Sequence, residues 1–214
     1  MNDLTDSLSA LQDIKSLMEK SSRFISLSGL AGVFSGIFAL IGAAAAYWRV
    51  NLAPWAVRDE DTPFGTGNIV NIDTDVAMFL LLDALIVLIV SVAVAYYFTK
   101  RKAARHGQAL WGPYSRHMLR NLAIPVGVGG LFCILLFYHG LIGLIAPSTL
   151  IFYGLALINA GRFSLEEISY LGISEVILGL ACLLLLGYGL IFWAIGFGVL
   201  HIVYGILMYI RHDR

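Results

Sequence analysis

The charges of this chain are gathered into a few short segments, and the stretches between them are apolar over lengths that match a lipid bilayer. The hydrocarbon layer is about 30 Å thick and takes roughly 20 helical residues to cross. Inside it the backbone must pair its own N–H and C=O groups, which a helix does within one segment. Six such runs are read, over about residues 24–48, 76–98, 122–145, 147–162, 165–186 and 190–210. Only 13% of the 214 residues are charged, against roughly 25% in a typical soluble domain. The fold class expected is all-α: a polytopic membrane bundle of six transmembrane helices. Before it, Leu4, Leu8, Leu11, Ile14, Leu17 and Met18 recur at helical spacing among charges. They predict an amphipathic helix within residues 1–23 that lies on the bilayer surface or on the bundle.

Orientation follows from the basic residues, which favour the cytoplasmic side. Segment 99–121 carries Lys100, Arg101, Lys102, Arg105, Arg116 and Arg120 and no acid. Segment 49–75 instead carries Asp59, Glu60, Asp61, Asp73 and Asp75 against Arg49 and Arg58. Arg162 falls two crossings after the basic loop, and Arg211 and Arg214 two more. All three clusters face one side only if the fourth run spans, which places both termini in the cytoplasm. That run, from Pro147 to Arg162, reaches only about 24 Å as a helix, so local thinning or a snorkelling Arg162 is expected. Pro147 suits a first helical position, Ser164-Leu-Glu-Glu167 reads as a capping box, and Gly187-Tyr-Gly189 as a tight turn. The first run is read as a retained helix rather than a signal peptide, because the segment before it is long and carries four acids.

Helix faces come from small residues. Gly32 and Gly36 form a GxxxG pair that lets another backbone approach closely, in the same chain or in a second copy, so a homo-oligomer through helix 1 is one expectation. Cys133 and Cys182 lie inside apolar runs at different depths and read as packing residues, not as a disulfide.

Four ionisable groups stand inside apolar runs: Asp83, His139, Glu175 and His201. A central Asp costs about 2.5–3.5 kcal/mol to insert, so such groups are candidates for function. Glu175 lies thirteen residues before Tyr188 and His201 thirteen after it. A hairpin turning there brings both to one level near the middle of the membrane. Glu175 shares a face with Gly172, Gly179 and Cys182, and His201 with Ala194, Gly198 and Gly205, so both should point inward. Such a contact either passes a proton or locks the hairpin. Asp83 and His139 flank the basic loop at similar separations and are expected to form a second pair; Asn159 and Tyr138 are candidates to join either network.

Other chemistry finds little support. The four groups make an acceptable ligand set for Zn or Fe, and the two histidines admit a haem. The pairs are expected at different depths, however, and no metal, haem, nucleophile or phosphate-binding motif accompanies them. No cofactor and no metal is therefore expected. The basic loop, with Trp111 and Tyr114, reads as a topology determinant that also suits anionic headgroups. It does not read as a nucleic-acid site, and Asp59-Glu60-Asp61 lacks EF-hand spacing. Weakly repeated Leu150-Ile-Phe-Tyr-Gly154 and Leu190-Ile-Phe-Trp-Ala194 suggest duplicated hairpins.

The stretches Ser22-Arg-Phe-Ile-Ser-Leu-Ser-Gly-Leu-Ala-Gly32, Tyr170-Leu-Gly-Ile-Ser-Glu175 and Leu190-Ile-Phe-Trp-Ala-Ile-Gly-Phe-Gly-Val-Leu-His201 resemble a family of uncharacterised bacterial inner-membrane proteins of similar length. The resemblance implies a bacterial cytoplasmic membrane and no particular activity. Three functions follow as expectations. The first is small-solute or proton-coupled transport through Glu175 and His201, which needs a polar cavity reaching the pair. The second is a scaffold or sensor working through helix packing and the N-terminal helix, and the third is an intramembrane metalloprotein.

Overall fold

The computed structural model describes residues 28–52, 74–105 and 111–212. The expected amphipathic helix of residues 1–23 and the acidic group Asp59, Glu60, Asp61 and Asp73 lie outside them. Among the described residues there is no strand, and six helices are long and apolar enough to cross a membrane. They are α1 Gly29–Leu52, α2 Thr74–Arg105, α3 Pro113–Tyr138, α4 Ile145–Gly161, α5 Glu166–Leu184 and α6 Gly189–His212. The chain is thus an all-α, six-span membrane bundle. Its outward faces are apolar (Ile86 and Ile89 on α2, Ile124 and Leu131 on α3), which is the surface that lipid requires and water penalises.

Two boundaries differ from the sequence reading. The third helix ends at Tyr138, not near residue 145, because Gly140 takes φ +74° and turns the chain there. L residues avoid that left-handed region, and glycine does not. Residues Ile142–Leu144 then form a 3₁₀ turn that leads straight into α4. The fourth span therefore covers Ile142–Gly161, 20 residues, or about 31 Å once the longer 3₁₀ rise is included. That length matches the hydrocarbon layer. Pro147 falls at the third helical position rather than the first, where its missing N–H is still one of the four that no helix can pair.

At the other end of that hairpin, α5 opens with Leu165 rather than Ser164 at the N-cap and has no side-chain cap. Leu165 is extended there and buried with Leu157, Ile168, Leu171 and Met208. The turn before α6 forms as expected, with Gly187 at φ +100°.

The helices pack in a row rather than a closed ring. Helix α2 lies on α1, α1 on α6, α6 on the α4–α5 pair, and α3 on α4. Gly32 and Gly36 face α6 of the same chain: a Cβ on Gly32 would sit 3.1 Å from the Gly205 Cα, and one on Gly36 2.6 Å from the Gly198 carbonyl oxygen. A second copy pairing through that face would have to displace α6. The other side of α1 meets α2, where Ser35 Oγ donates to the Ser91 carbonyl at 3.4 Å and Phe34 stacks on Phe98 at 5.1 Å. Cys133 on α3 and Cys182 on α5 are free thiols.

The basic groups at the end of α2 and at the end of α6 lie at one end of the bundle, opposite Arg49 at the end of α1. Arg211 and His212 both donate to Glu167 Oε1, at 3.0 and 3.2 Å. His117 stacks on Phe163 at 5.8 Å, and Arg101, Lys102 and Arg105 line a crevice beside Tyr209.

Candidate functional site

Helix α6 is where the polar interior is built. It runs as α-helix over Gly189–Trp193, as π-helix over Ala194–Leu200, and as α-helix again from His201 to His212. A π segment inside an α-helix is uncommon and recurs at functional positions. Gly196 and Gly198 lie within it and are buried. Gly198 accepts Leu40 of α1 against its backbone, while Gly196 leaves room for the Glu175 carboxyl: a Cβ there would lie 2.5 Å from Oε2.

Glu175 and His201 meet. His201 Nδ1 lies 3.5 Å from Glu175 Oε1. Glu175 is 0% exposed, and neither carboxyl oxygen has a hydrogen-bond partner. His201 is held on both ring nitrogens. Nδ1 is 3.1 Å from the Gly196 carbonyl oxygen, and a carbonyl only accepts, so Nδ1 carries the proton. Nε2 is 2.9 Å from Tyr153 Oη on α4. In the neutral ring Nε2 accepts the Tyr153 O–H; in the imidazolium it donates to Oη. His201 also stacks on Tyr153 and on Phe197, with centroids 5.5 and 6.0 Å apart, and Tyr153 is tilted against Phe197 at 5.0 Å. The imidazole is therefore fixed in plane and in tautomer.

This arrangement has a chemical consequence. Because Nδ1 already bears a hydrogen, a second proton enters the ring at Nε2, where Tyr153 must turn from donor to acceptor. The imidazolium so formed faces Glu175 through Nδ1–H. An ionised carboxylate buried without donors costs several kcal/mol, and it is offset either by a proton on the carboxyl itself or by the charge on His201.

Toward the basic end the pair is closed by the apolar cluster of Leu157, Ile168, Leu171 and Met208. On that side Ser174 Oγ and Tyr204 Oη form one further α5–α6 hydrogen bond at 3.1 Å. The polar cavity expected to reach the pair is not formed at Glu175, whose carboxyl oxygens present no accessible surface. Leu150, fully buried, packs beside Gly196.

The remaining candidates do not assemble. Asp83 is half-buried on α2 and faces α1, with Oδ2 3.3 Å from where a Gly42 Cβ would be. His139 caps the end of α3, exposed, edge-on to Tyr138 at 5.3 Å. The expected Asp83–His139 pair does not form: α2 and α3 do not pack together, and His139 sits exposed at the end of α3. Asn159, half-buried on α4, joins neither group, and Tyr138 is exposed. Among the described residues no three His, Cys, Asp or Glu side chains gather as a metal site.

Tyr153 is the partner of His201 that the sequence reading missed. Its signal was a phenol in the middle of a span, where a buried hydroxyl usually finds a partner. The expected small faces also serve other neighbours. Gly172 and Gly179 lie against Gly154 and Ile151 of α4, and Gly205 lies against α1. Glu175 and His201 meet in the seam between those contacts. Comparison with known protein families, with curated proteins and with solved structures finds no match.

Proposed function

We propose that this chain is a proton-coupled membrane protein whose working centre is the Glu175–His201 pair, serving the movement of a small solute. The observation that supports it is the buried carboxyl of Glu175, without a hydrogen-bond donor and 3.5 Å from an imidazole held by Tyr153 and Gly196. Binding or losing one proton changes the charge between α5 and α6, in a π segment that also seats α1. Protonation is then coupled to how α6 packs; since no polar cavity reaches Glu175 in this arrangement, passage of a proton needs α6 to repack. The clustering of basic groups at one end supports a cytoplasmic location for that end and for both termini. Together with the family resemblance, it supports a bacterial cytoplasmic membrane.

Purified protein in vesicles with an internal pH-sensitive dye tests this reading under an imposed pH gradient. The wild type is expected to collapse the gradient faster than protein-free vesicles. Glu175→Gln, which keeps the shape and cannot ionise, is expected to slow that flux by on the order of a hundredfold, as for loss of a positioned proton-transfer group. Equal flux through the wild type and this variant would remove the pair from any proton path.

A further inference from the structure

Asp83 lies within a span and outside the Glu175 centre. It stands nine residues after Thr74 on α2, and Gly42 opposite it stands ten residues before Leu52 on α1. Both counts set the carboxyl about 13–15 Å below the helix ends that lie away from the basic groups. Its side chain enters the α1–α2 seam, with Oδ2 and Oδ1 3.3 and 3.5 Å from where a Gly42 Cβ would be. One turn to either side the seam holds Ala39 and Ala46 of α1 and Leu80 and Val87 of α2, all apolar. The Ser35–Ser91 hydrogen bond is two turns away on one side. Arg49 and Asp75 are about two turns away on the other, and Tyr47 is exposed. Among the described residues no hydrogen bond or ion pair reaches the Asp83 oxygens.

We propose that Asp83 is a second proton-binding site, facing lipid and separate from Glu175, and that the closed α1–α2 seam holds its carboxyl as the neutral acid. An ionised carboxylate only accepts hydrogen bonds. Helix α1 offers it no donor at Gly42, because the amides of a helix interior are already bonded within the helix. Asp83 is half-buried, with Leu82 and Ile86 beside it exposed, so the rest of its surroundings is acyl chain, which has no donor either. The neutral acid carries no charge to desolvate, and its O–H matches the one group a helix backbone still offers, a carbonyl lone pair. Ionisation would place a charge in the seam that none of the neighbours above offsets. Loss of the proton therefore opposes the packing of α2 on α1, the helix that α2 lies against.

Dicyclohexylcarbodiimide tests the site on the full chain in phosphatidylcholine vesicles, because this lipid-soluble reagent attacks carboxyls that carry their proton. The acid O–H proton passes to a carbodiimide nitrogen, the carboxyl oxygen bonds to the central carbon, and an acyl shift to nitrogen leaves a stable N-acylurea with no leaving group. Peptide masses are expected to show the adduct on Asp83 and none on Glu175, whose oxygens present no accessible surface. A water-soluble carbodiimide is expected to label Asp83 at least about tenfold more slowly, as the charge-excluding apolar surroundings require. No adduct on Asp83, or equal rates with the two reagents, overturns a lipid-facing acid. Unfolding in detergent, compared with Asp83→Asn, tests the proton itself, since the amide keeps the shape of the neutral acid and cannot ionise. A proton held more tightly in the folded chain is lost to its stability as pH rises. The unfolding constant of the wild type relative to the variant is therefore expected to climb by up to about tenfold per pH unit between pH 5 and 8. A ratio that does not change with pH, or an Asp83→Asn chain that fails to fold, overturns the proposal.

Discussion

Gly36→Leu is expected to destabilise the bundle by about 3 kcal/mol, the upper end of what overpacking costs. The reason is what lies in the way. A Cβ at Gly36 would come within 2.6 Å of the Gly198 carbonyl oxygen, 2.7 Å of Ile202 Cγ1 and 3.0 Å of the Ile202 nitrogen. Two of these three atoms are backbone, so no rotamer change relieves the clash, and α1 must move off α6. In lipid that separation is not opposed by a hydrophobic term between the helices, because the acyl chains are as apolar as the side chains they replace. Gly127→Leu is the control. Nothing lies within 4 Å of a Cβ there, and leucine is the better helix former, so it is expected to be neutral or slightly stabilising. Unfolding in detergent distinguishes the two; equal effects would mean that α1 and α6 are not packed through Gly36.

The second large effect is an asymmetry within the polar pair. His201→Leu removes the group that faces Glu175 and the acceptor of Tyr153, and is expected to cost about 3 kcal/mol, as when one partner of a buried pair is lost. Glu175→Leu leaves His201 still bonded to Gly196 and Tyr153, and is expected to stay within about 1.5 kcal/mol of the wild type. The double variant should recover most of the His201→Leu loss, since it removes the stranded carboxyl as well. A double-mutant cycle on unfolding measures this coupling. Additive costs would mean that the two side chains are neighbours without interaction.

Depth along the membrane was legible in the sequence, and rotation about each helix was not. The level of Glu175 with His201 follows from thirteen residues on either side of Tyr188, and any antiparallel hairpin of two straight helices preserves that count. Which helix each face meets depends on packing between apolar surfaces, for which hydropathy carries no signal. Gly172 and Gly179 were rightly read as a close-packed face, yet the partner is α4 and not α6. The turn at Gly140 was hidden for a related reason: Leu141–Ile145 continue the apolar run, so the chain reverses without a change in hydropathy. The Asp83–His139 pair fails for the other reason: a similar separation from the basic loop sets a level, but α2 and α3 do not lie side by side. Tyr153 required knowing that α4 lies against α6, which neither spacing nor charge discloses.

In the proposed function, Glu175 and His201 share a proton that can come and go. Infrared difference spectra of the reconstituted protein, taken between acid and alkaline buffer, test it at the level of the bond. A protonated carboxyl band, shifted by deuterium exchange, is expected to appear or disappear in the wild type, to be absent in Glu175→Gln, and to move in its pH dependence in Tyr153→Phe. A carboxyl band at Glu175 that stays unchanged across the whole range would mean that the pair is a fixed packing contact with no exchanging proton.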